Sequence, residues 1–402
     1  MKYIVLLGDG MADRPLDDHA GKTPLQISRT PCMDYLAGSG TLGMVCTIPE
    51  GFEPGSDVAN MCVLGYDPRL HYTGRAPIEA VSMGVSLDAG DIAFRCNLVS
   101  LAGNGPEASI DDYSAGHITT AEAHRFIAAL KSELDSDACK LHPGISYRHL
   151  MVWKGADPRI KTSAPHDITG RAIEAYMPAG PGAEPVREAM LRSRRLFENH
   201  PLNRERIAQG KKPVSSIWLW GQGTAVTLPS FREKYGLSGS VISAVDLIKG
   251  LGISAGLHSI NVPGATGYLD TNYAGKVAAA LGALKEQDFV YLHVEAPDEA
   301  GHKGSFPEKI QAIEDFDTKI VQQVVDGLRT AGEPFRILLL PDHPTPLCLK
   351  THSSDPVPFV LYDSACAPEH PQKQTYCEAD ARACGLLIEQ GWTLMDRFIN
   401  GI

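Results

Sequence analysis

The chain begins with a continuous apolar run, Tyr3–Leu7 (YIVLL), which ends directly before Gly8-Asp9-Gly10. A short apolar run without polar alternation is typical of a strand that is covered on both faces in a parallel sheet. Three later segments have the same character: Phe289–Val294, Arg336–Leu340 and Pro358–Tyr362. We therefore expect these four segments to be buried strands of one mostly parallel sheet.

Helical patterns lie between these predicted strands. In Pro307–Thr330 the apolar residues recur at steps of three and four, which is typical of a helix with one buried face. Ala274–Leu284 is a second predicted helix. Buried strands that alternate with helices predict an α/β fold in which helices flank the sheet.

The middle of the chain predicts a second, smaller α/β domain. Its expected strands are Arg95–Leu101, Ser146–Trp153 and Ile217–Trp220. A loop rich in Pro and Gly lies at Met177–Pro185, and a basic helical stretch around Arg192–Arg195 reads as a solvated face. We therefore predict an inserted domain at 85–235 within a discontinuous domain formed by 1–84 and 236–402.

Composition excludes several classes of protein. The 402 residues include 37 Lys and Arg and 48 Asp and Glu, so the formal net charge is −11. A hydrophobic share of 43% and a charged share of 21% are ordinary for a globular chain and argue against a disordered or fibrous one. The acidic balance argues against a broad nucleic-acid surface but allows a small anionic substrate.

The sequence also predicts the compartment. The first apolar run is too short for a signal peptide and is followed by an acid, and no stretch reaches the roughly 20 apolar residues that span a bilayer. The nine cysteines include no C-x-x-C pair, which predicts reduced thiols, most of them buried small hydrophobes. For Cys62, which follows the Gly55–Met61 segment, the alternative is a position near a functional site. We expect a cytoplasmic protein without membrane contact.

Acids and histidines follow the ends of three predicted strands. They are Asp9, then Asp298 and His302, then Asp342 and His343, with His352 shortly after. In an open α/β sheet, ligands bind beyond the carboxyl ends of the strands. Singly, each residue could be a helix cap or an ordinary turn residue. Together, three carboxylates and three imidazoles predict a site for Mn²⁺, Zn²⁺ or a related ion, with ligands enough for two ions.

A candidate nucleophile lies at Ser56, in a Gly-Ser turn that leads into a predicted helix. Free backbone N–H groups at a helix start favour an anion, and a metal-bound hydroxyl is a stronger nucleophile. The alternative is that Ser56 only caps the helix.

Cations are available for a phosphorylated substrate. The candidate phosphate-binding residues are Arg75, Arg95, Arg148 and Lys249. Arginine binds phosphate or carboxylate through two parallel hydrogen bonds. His117 and the pair His166-Asp167 are candidates for substrate contact or acid–base chemistry. The alternative for each of these residues is an ordinary solvated surface position.

Two nucleotide-binding motifs are incomplete. Gly21-Lys22-Thr23 resembles the end of a P-loop, but Leu16 stands where that motif needs Gly. No G-x-G-x-x-G follows the first strand.

Taken together, the motifs resemble a known family. They are Gly8–Asp13, Gly55–Met61, Phe94–Leu98, Pro263–Gly267, Asp298–His302 and Pro341–His343. Over essentially its whole length the chain resembles the archaeal type of 2,3-bisphosphoglycerate-independent phosphoglycerate mutase, within the alkaline phosphatase superfamily. The resemblance implies an isomerase of glycolysis and gluconeogenesis that interconverts 3-phosphoglycerate and 2-phosphoglycerate through a phosphoserine. It implies no requirement for 2,3-bisphosphoglycerate.

The resemblance also implies site roles. One ion would be bound by Asp9, Ser56, Asp342 and His343, and the other by Asp298, His302 and His352. Ser56 would accept the phosphoryl group, while the inserted domain would bind substrate through Arg95, His117, Arg148 and His166. Mn²⁺ is the expected ion, with Mg²⁺, Co²⁺ and Zn²⁺ as alternatives.

Other functions stay open at this stage. A related phosphotransferase acting on another small alcohol, such as a homoserine kinase, would use the same metal residues, and so would a phosphatase. A non-catalytic metal- or anion-binding protein is a further alternative. The sequence does not indicate an oligomeric state.

Overall fold

A computed structural model describes residues 1–103 and 105–401, and the chain divides into two compact units. Unit 1 comprises Met1–Tyr72 and the segment from Thr227 onward, and unit 2 is Thr73–Val226. The limits expected from the sequence, 84/85 and 235/236, lie further along the chain. The first difference arises because the helix Arg75–Ser82 packs on strands of unit 2.

The strands of both units are as follows, in chain order: β1 Lys2–Gly8, β2 Thr41–Val45, β3 Asp91–Ala102, β4 Ser109–Asp112, β5 Cys139–His142, β6 Arg148–Lys154, β7 Ser216–Gly223, β8 Gly239–Ile242, β9 His258–Ile260, β10 Phe289–Val294, β11 Phe335–Leu340, β12 Val357–Asp363 and β13 Leu387–Ile388.

The α-helices are α1 Pro24–Ile27, α2 Pro31–Ser39, α3 Ser56–Val63, α4 Pro68–His71, α5 Arg75–Ser82, α6 Thr120–Leu134, α7 Ala183–Glu198, α8 Pro201–Ala208, α9 Phe231–Tyr235, α10 Asp246–Ser254, α11 Tyr273–Ala283, α12 Ala296–Lys303, α13 Phe306–Phe316, α14 Gln322–Ala331, α15 Glu378–Ala383 and α16 Leu394–Asn400. Short 3₁₀ turns lie at Asp17–His19, Gly105–Glu107, Ile173–Tyr176 and Gly391–Thr393. Among the described residues, no helix has both the length and the apolar character needed to span a bilayer.

Unit 1 is built on an eight-stranded, mostly parallel sheet in the order β13-β2-β12-β11-β1-β10-β8-β9. This confirms the predicted α/β fold. The strand predicted at Pro358–Tyr362 differs in direction, because β12 runs antiparallel to both β11 and β2. A continuous apolar run shows that both faces of a strand are covered, but it does not show the direction of that strand.

The register of the three central strands fixes the position of the site. β1 pairs in parallel with β10 and with β11, and Gly8 lies opposite Val294 while Leu7 lies opposite Leu340. The three strands therefore end side by side. The residues that follow them, including Asp9 and Asp342, meet at one edge of the sheet.

The long helix predicted at Pro307–Thr330 is interrupted in its middle. A π-helical turn, Asp317–Val321, separates α13 from α14. The buried Asp317 carboxylate accepts hydrogen bonds from the backbone N–H groups of Cys32 and Met33, at the start of α2. Burial raises the pKa of Asp317 to about 6. The apolar steps of three and four continue through the turn, so the sequence pattern does not reveal it.

Unit 2 is built on an antiparallel sheet in the order β4-β3-β6-β5, with β7 also paired to β3. The long strand β3 therefore pairs with β4, β6 and β7, and it contains Arg95 and Asn97. The helix α7, which carries the basic stretch, packs on β7 through its apolar face. Its Arg192 and Arg195 form ion pairs with Glu133 and Glu188 at its surface.

A fully buried lysine joins two loops of unit 1. The Lys309 ammonium on α13 donates to the Asp13 carboxylate at 2.7 Å and to the Thr345 carbonyl at 2.7 Å. Asp13 follows β1 and Thr345 follows β11. One buried cation therefore connects the loop that carries Asp9 to the loop that carries Asp342.

We expect Lys309→Met to destabilise the protein by about 3–5 kcal/mol, because it leaves the Asp13 charge buried without its partner. The matched control is Lys303→Met, which removes an exposed ion pair with Glu308 at 2.8 Å, and its expected cost is about 0–1 kcal/mol. Denaturant unfolding measures both, and equal losses would contradict the structural role of Lys309.

Candidate active site

Ser56 lies at the first position of α3, at the edge where the central strands of unit 1 end. Gly55 occupies the capping position, so the Ser56 hydroxyl does not cap the helix. Its Oγ lies 3.1 Å from His343 Nε2 instead. The hydroxyl is therefore directed at the predicted metal ligands, and its role as nucleophile stays a prediction.

The first group of candidate ligands is Asp9, Asp342 and His343, whose donor atoms lie within 4.8 Å of one another. All three side chains are fully buried. Asp342 is oriented by Asn60 Nδ2, which donates to its Oδ2 at 2.7 Å, and by the Gly10 N–H, which donates to its Oδ1 at 3.2 Å. The group is thus built from the ends of β1 and β11 and braced by α3.

The second group is Asp298, His302 and His352. Asp298 and His302 lie one turn apart on α12, with His302 Nε2 at 3.1 Å from Asp298 Oδ2. His352 Nε2 lies 3.0 Å from His302 Nε2 and 3.5 Å from Asp298 Oδ1. The outer ring nitrogen of His302 lies 3.0 Å from the Lys350 carbonyl, which fixes the ring orientation.

His343 connects the two groups. Its donor atoms also lie within 4.8 Å of those of Asp298 and His352, and its Nε2 is 3.6 Å from Asp9 Oδ1. Thr345 donates to Asp298 Oδ1 and lies 3.3 Å from His343 Nδ1. The seven residues predicted as metal ligands therefore lie together at one edge of the sheet.

The charges in this cluster are uneven. Burial, with Asp342 and Asp298 nearby, raises the pKa of Asp9 well above its usual range. Burial alone would raise the pKa of Asp298 too, but His302 and His352 lower it. The same pairing raises the pKa of His302 to about 9 against the effect of burial. Burial lowers the pKa of His343 to about 4.

These residues fit divalent cations. Among the described residues, the buried Asp9 Oδ1 has no hydrogen-bond partner, and a buried carboxylate oxygen without one is costly. Carboxylate oxygens and imidazole nitrogens are also the donors that Mn²⁺ and Zn²⁺ accept. A cation between the carboxylates would satisfy the oxygen and offset their mutual repulsion.

His293 is a site residue that the sequence analysis missed. It is fully buried, its Nε2 lies 2.8 Å from Asp9 Oδ2, and its Nδ1 lies 3.1 Å from Ser243 Oγ. Burial lowers its pKa to about 3, so the ring is neutral. With Glu295 it completes a third group of donor atoms around Asp9. The available signal was one imidazole inside the otherwise apolar strand Phe289–Val294.

Asn60 and Tyr291 were also missed. The Tyr291 hydroxyl donates to Asn60 Oδ1 at 2.6 Å, and Asn60 in turn donates to Asp342 and to the Ser56 carbonyl. Asn60 lies four residues after Ser56, one helical turn away, and that spacing was the signal. Cys62, on the same helix, is buried among apolar residues as predicted.

In unit 2 the structure groups three predicted arginines. Arg75 and Arg95 both contact the Glu79 carboxylate, at 3.1 Å and 2.9 Å. Arg148 is close enough to lower the pKa of Arg95, whose main shift, to about 10, comes from burial. His166 packs against Trp220 with ring centroids 5.2 Å apart. Arg95 therefore remains charged at neutral pH in an aromatic, cationic setting.

The other predicted substrate residues make contacts of their own. His117 is exposed in a turn in which its backbone N–H donates to the Ser114 hydroxyl. Asp167 is exposed and lies 3.7 Å from His166. Lys249 belongs to unit 1, on α10, where it pairs with Asp246 at 3.6 Å. Their roles in substrate binding stay predictions.

Comparison with known proteins identifies the family. The model of the family described as 2,3-bisphosphoglycerate-independent phosphoglycerate mutase matches residues 37–203. A probable 2,3-bisphosphoglycerate-independent phosphoglycerate mutase of Geobacter sulfurreducens is 53% identical over 400 residues, which is 100% of both chains. The 2,3-bisphosphoglycerate-independent phosphoglycerate mutase of Methanosarcina barkeri is 53% identical over 90% of each chain. The chain belongs to the 2,3-bisphosphoglycerate-independent phosphoglycerate mutase family.

Solved structures agree with this membership. A cofactor-independent phosphoglycerate mutase from Thermoplasma acidophilum is 28% identical, covers 100% of this chain and 99% of its own, and has a TM-score of 0.62. A Pyrococcus horikoshii protein, also 28% identical, covers 99% of this chain and 97% of its own with a TM-score of 0.79. The resemblance drawn from the sequence motifs is therefore confirmed at the level of family and fold.

Proposed function

We propose that the chain interconverts 3-phosphoglycerate and 2-phosphoglycerate, with Ser56 as the phosphoryl acceptor. The observation that carries the proposal is the Ser56 hydroxyl, which lies at the start of α3 and 3.1 Å from His343, beside two groups of carboxylates and imidazoles. A hydroxyl in this setting suits attack on phosphorus, and the free N–H groups of the helix start favour an anion. The names of the relatives at 53% identity support the substrate.

Two divalent ions are part of this proposal. One would be held by Asp9, Ser56, Asp342 and His343, and the other by Asp298, His302 and His352. When bound, the ions would lower the pKa of the Ser56 hydroxyl and offset charge on the phosphoryl oxygens. Mn²⁺ suits this mixed donor set, and Mg²⁺, Co²⁺ and Zn²⁺ accept parts of it, so that availability decides the native ion.

The reaction consists of two phosphoryl transfers, the first to Ser56 and the second from it. In the first, Ser56 Oγ forms a bond to phosphorus while the bond from phosphorus to the 3-oxygen of the substrate breaks, and the hydroxyl proton ends on that 3-oxygen. The bound glycerate then turns so that its 2-hydroxyl faces the phosphoserine. In the second transfer the 2-oxygen forms a bond to phosphorus while the bond between phosphorus and Ser56 Oγ breaks, and the proton of the 2-hydroxyl ends on Ser56 Oγ.

The buried neighbours of the ligands hold the geometry for both transfers. Neutral His293 donates its Nε2 proton to Asp9, since Ser243 can donate to its Nδ1. Tyr291 and Asn60 fix Asp342 in the same way. Such outer partners keep ligand orientation constant while the substrate changes, which preserves the alignment of the Ser56 hydroxyl.

The cationic residues of unit 2 would bind the anionic groups of the substrate. Arg75, Arg95 and Arg148 supply positive charge, and guanidinium groups bind phosphate and carboxylate through paired hydrogen bonds. His166, beside Trp220, offers a further donor.

Ser56→Ala should lower mutase turnover on the order of 10³-fold or more, because it removes the acceptor oxygen while leaving the fold intact. Assays with Mn²⁺ and 3-phosphoglycerate, scored for 2-phosphoglycerate and for free phosphate, measure the effect. Ser132→Ala, an exposed serine of unit 2, is the control and should keep full activity. Retained mutase activity in Ser56→Ala would refute the relay, and free phosphate as the main wild-type product would indicate a phosphatase.

His293→Ala should weaken Mn²⁺ binding by about 10–100-fold, because Asp9 loses the partner that orients it. Calorimetric titration of metal-free protein measures the affinity without reference to turnover. His258→Ala changes an exposed histidine of the same unit and should leave the affinity unchanged. Equal affinities in wild type and His293→Ala would argue against an orienting role for His293.

A further inference from the structure

Glu79 lies at the centre of the arginine group of unit 2, and the sequence analysis assigned it no role. Its side chain is 11% exposed, and each of its oxygens faces a different arginine. Oε1 accepts from Arg75 Nε, one turn earlier on α5, and Oε2 lies 2.9 Å from Arg95 Nε on β3. One carboxylate therefore ties two guanidinium groups, from a helix and a strand, into one arrangement.

The Trp220 ring packs against the same two arginines. Across the antiparallel β3–β7 pair, Arg95 lies directly opposite Trp220, so their side chains share one face of the sheet. The Arg95 guanidinium carbon lies 4.5 Å from the Trp220 ring centroid, and that of Arg75 lies 5.8 Å from it. The indole N–H donates to Asn97 Oδ1 at 3.1 Å, which fixes the ring plane.

The backbone at Gly74 permits the contact between Arg75 and Trp220. Gly74, directly before Arg75, has φ 147°, and a Cβ atom there would overlap the Gln222 carbonyl. The start of α5 thus approaches β7 more closely than a larger residue would allow. That approach brings Arg75 to the ring of Trp220.

The charge of the group matches an anionic ligand. Arg75, Arg95 and Arg148 supply three positive charges, and Glu79 is the buried carboxylate among them. The Arg95 side chain is only 5% exposed, and its Nε faces the Glu79 carboxylate. Both arginines direct Nε toward Glu79, and guanidinium groups bind oxyanions through paired N–H groups.

We propose that Glu79 and Trp220 are positioning residues that hold Arg75 and Arg95 in the geometry needed to bind an anionic group of the substrate. This inference rests on the proposed function. Glu79 acts through the arginines, and its own negative charge opposes the ligand. Its removal therefore separates two effects, because a pure charge effect strengthens anion binding whereas loss of positioning weakens it.

The test measures 3-phosphoglycerate binding by calorimetry in the presence of Mn²⁺, in a Ser56→Ala background that cannot turn over. Adding Glu79→Gln should weaken binding about tenfold, the loss expected when charged hydrogen bonds are misplaced. Glu79→Asp keeps the charge but shortens the reach, and it should weaken binding as well. The control is Glu205→Gln, which removes an exposed pair with Arg125 and should change nothing.

Trp220→Phe supplies an independent readout. It should weaken binding about threefold, because a phenyl ring attracts guanidinium less than indole does. The chain has four tryptophans, and the emission change caused by 3-phosphoglycerate should be lost in Trp220→Phe and kept in Trp153→Phe. Trp153 lies in the same sheet, on β6.

The outcomes separate the two levels of the proposal. Equal or tighter binding in both Glu79 variants overturns the role of Glu79, and an unchanged affinity and emission response in Trp220→Phe overturns that of Trp220. Absence of 3-phosphoglycerate binding in Ser56→Ala alone contradicts the proposed function, and the inference falls with it. Thermal unfolding of each variant verifies that the fold is kept.

Discussion

Three aspartates buried at one edge of a sheet impose the main constraint on unit 1. Burial raises the pKa of Asp9, and the nearby charges of Asp342 and Asp298 raise it further. The protein offsets part of this repulsion with His302 and His352. Hydrogen bonds from Asn60 and the Gly10 N–H to Asp342, and from Thr345 to Asp298, stabilise the remaining negative charge. A cluster of buried carboxylates is unfavourable without bound cations and becomes favourable when cations bind between them.

The fold holds this edge rigid from several sides. The carboxylates follow parallel strands whose register is fixed over six residue pairs, so their spacing is set by the sheet and not by mobile loops. Lys309 ties the loop after β1 to the loop after β11 through Asp13. In unit 2 a buried charge also holds groups of the opposite sign together, because the Glu79 carboxylate contacts both Arg75 and Arg95, which would otherwise repel each other.

Much of the fold and of the candidate ligand cluster could be predicted from the sequence, because the buried strands are continuous apolar runs and most candidate ligands follow the end of such a run. The direction of β12 could not, since apolar runs carry no direction. His293 was missed because its strand reads as apolar. Trp220 was missed because the pairing of β3 with β7 places it opposite Arg95, and Glu79 because its contact with Arg95 depends on the packing of α5 on β3. A one-dimensional pattern shows which residues are buried, but it does not show which buried polar residues meet.

The order of the strands has a consequence for biosynthesis. β1 pairs with β10 and β11, so Tyr3 cannot form its strand pair until Phe289 has been translated, and Lys2 cannot do so until Phe335 has been translated. Unit 2 is one uninterrupted segment, and it leaves the ribosome complete while β1 still lacks both neighbours. Unit 2 can therefore fold before unit 1, whose first strand stays an unpaired apolar segment until β10 and β11 have been translated.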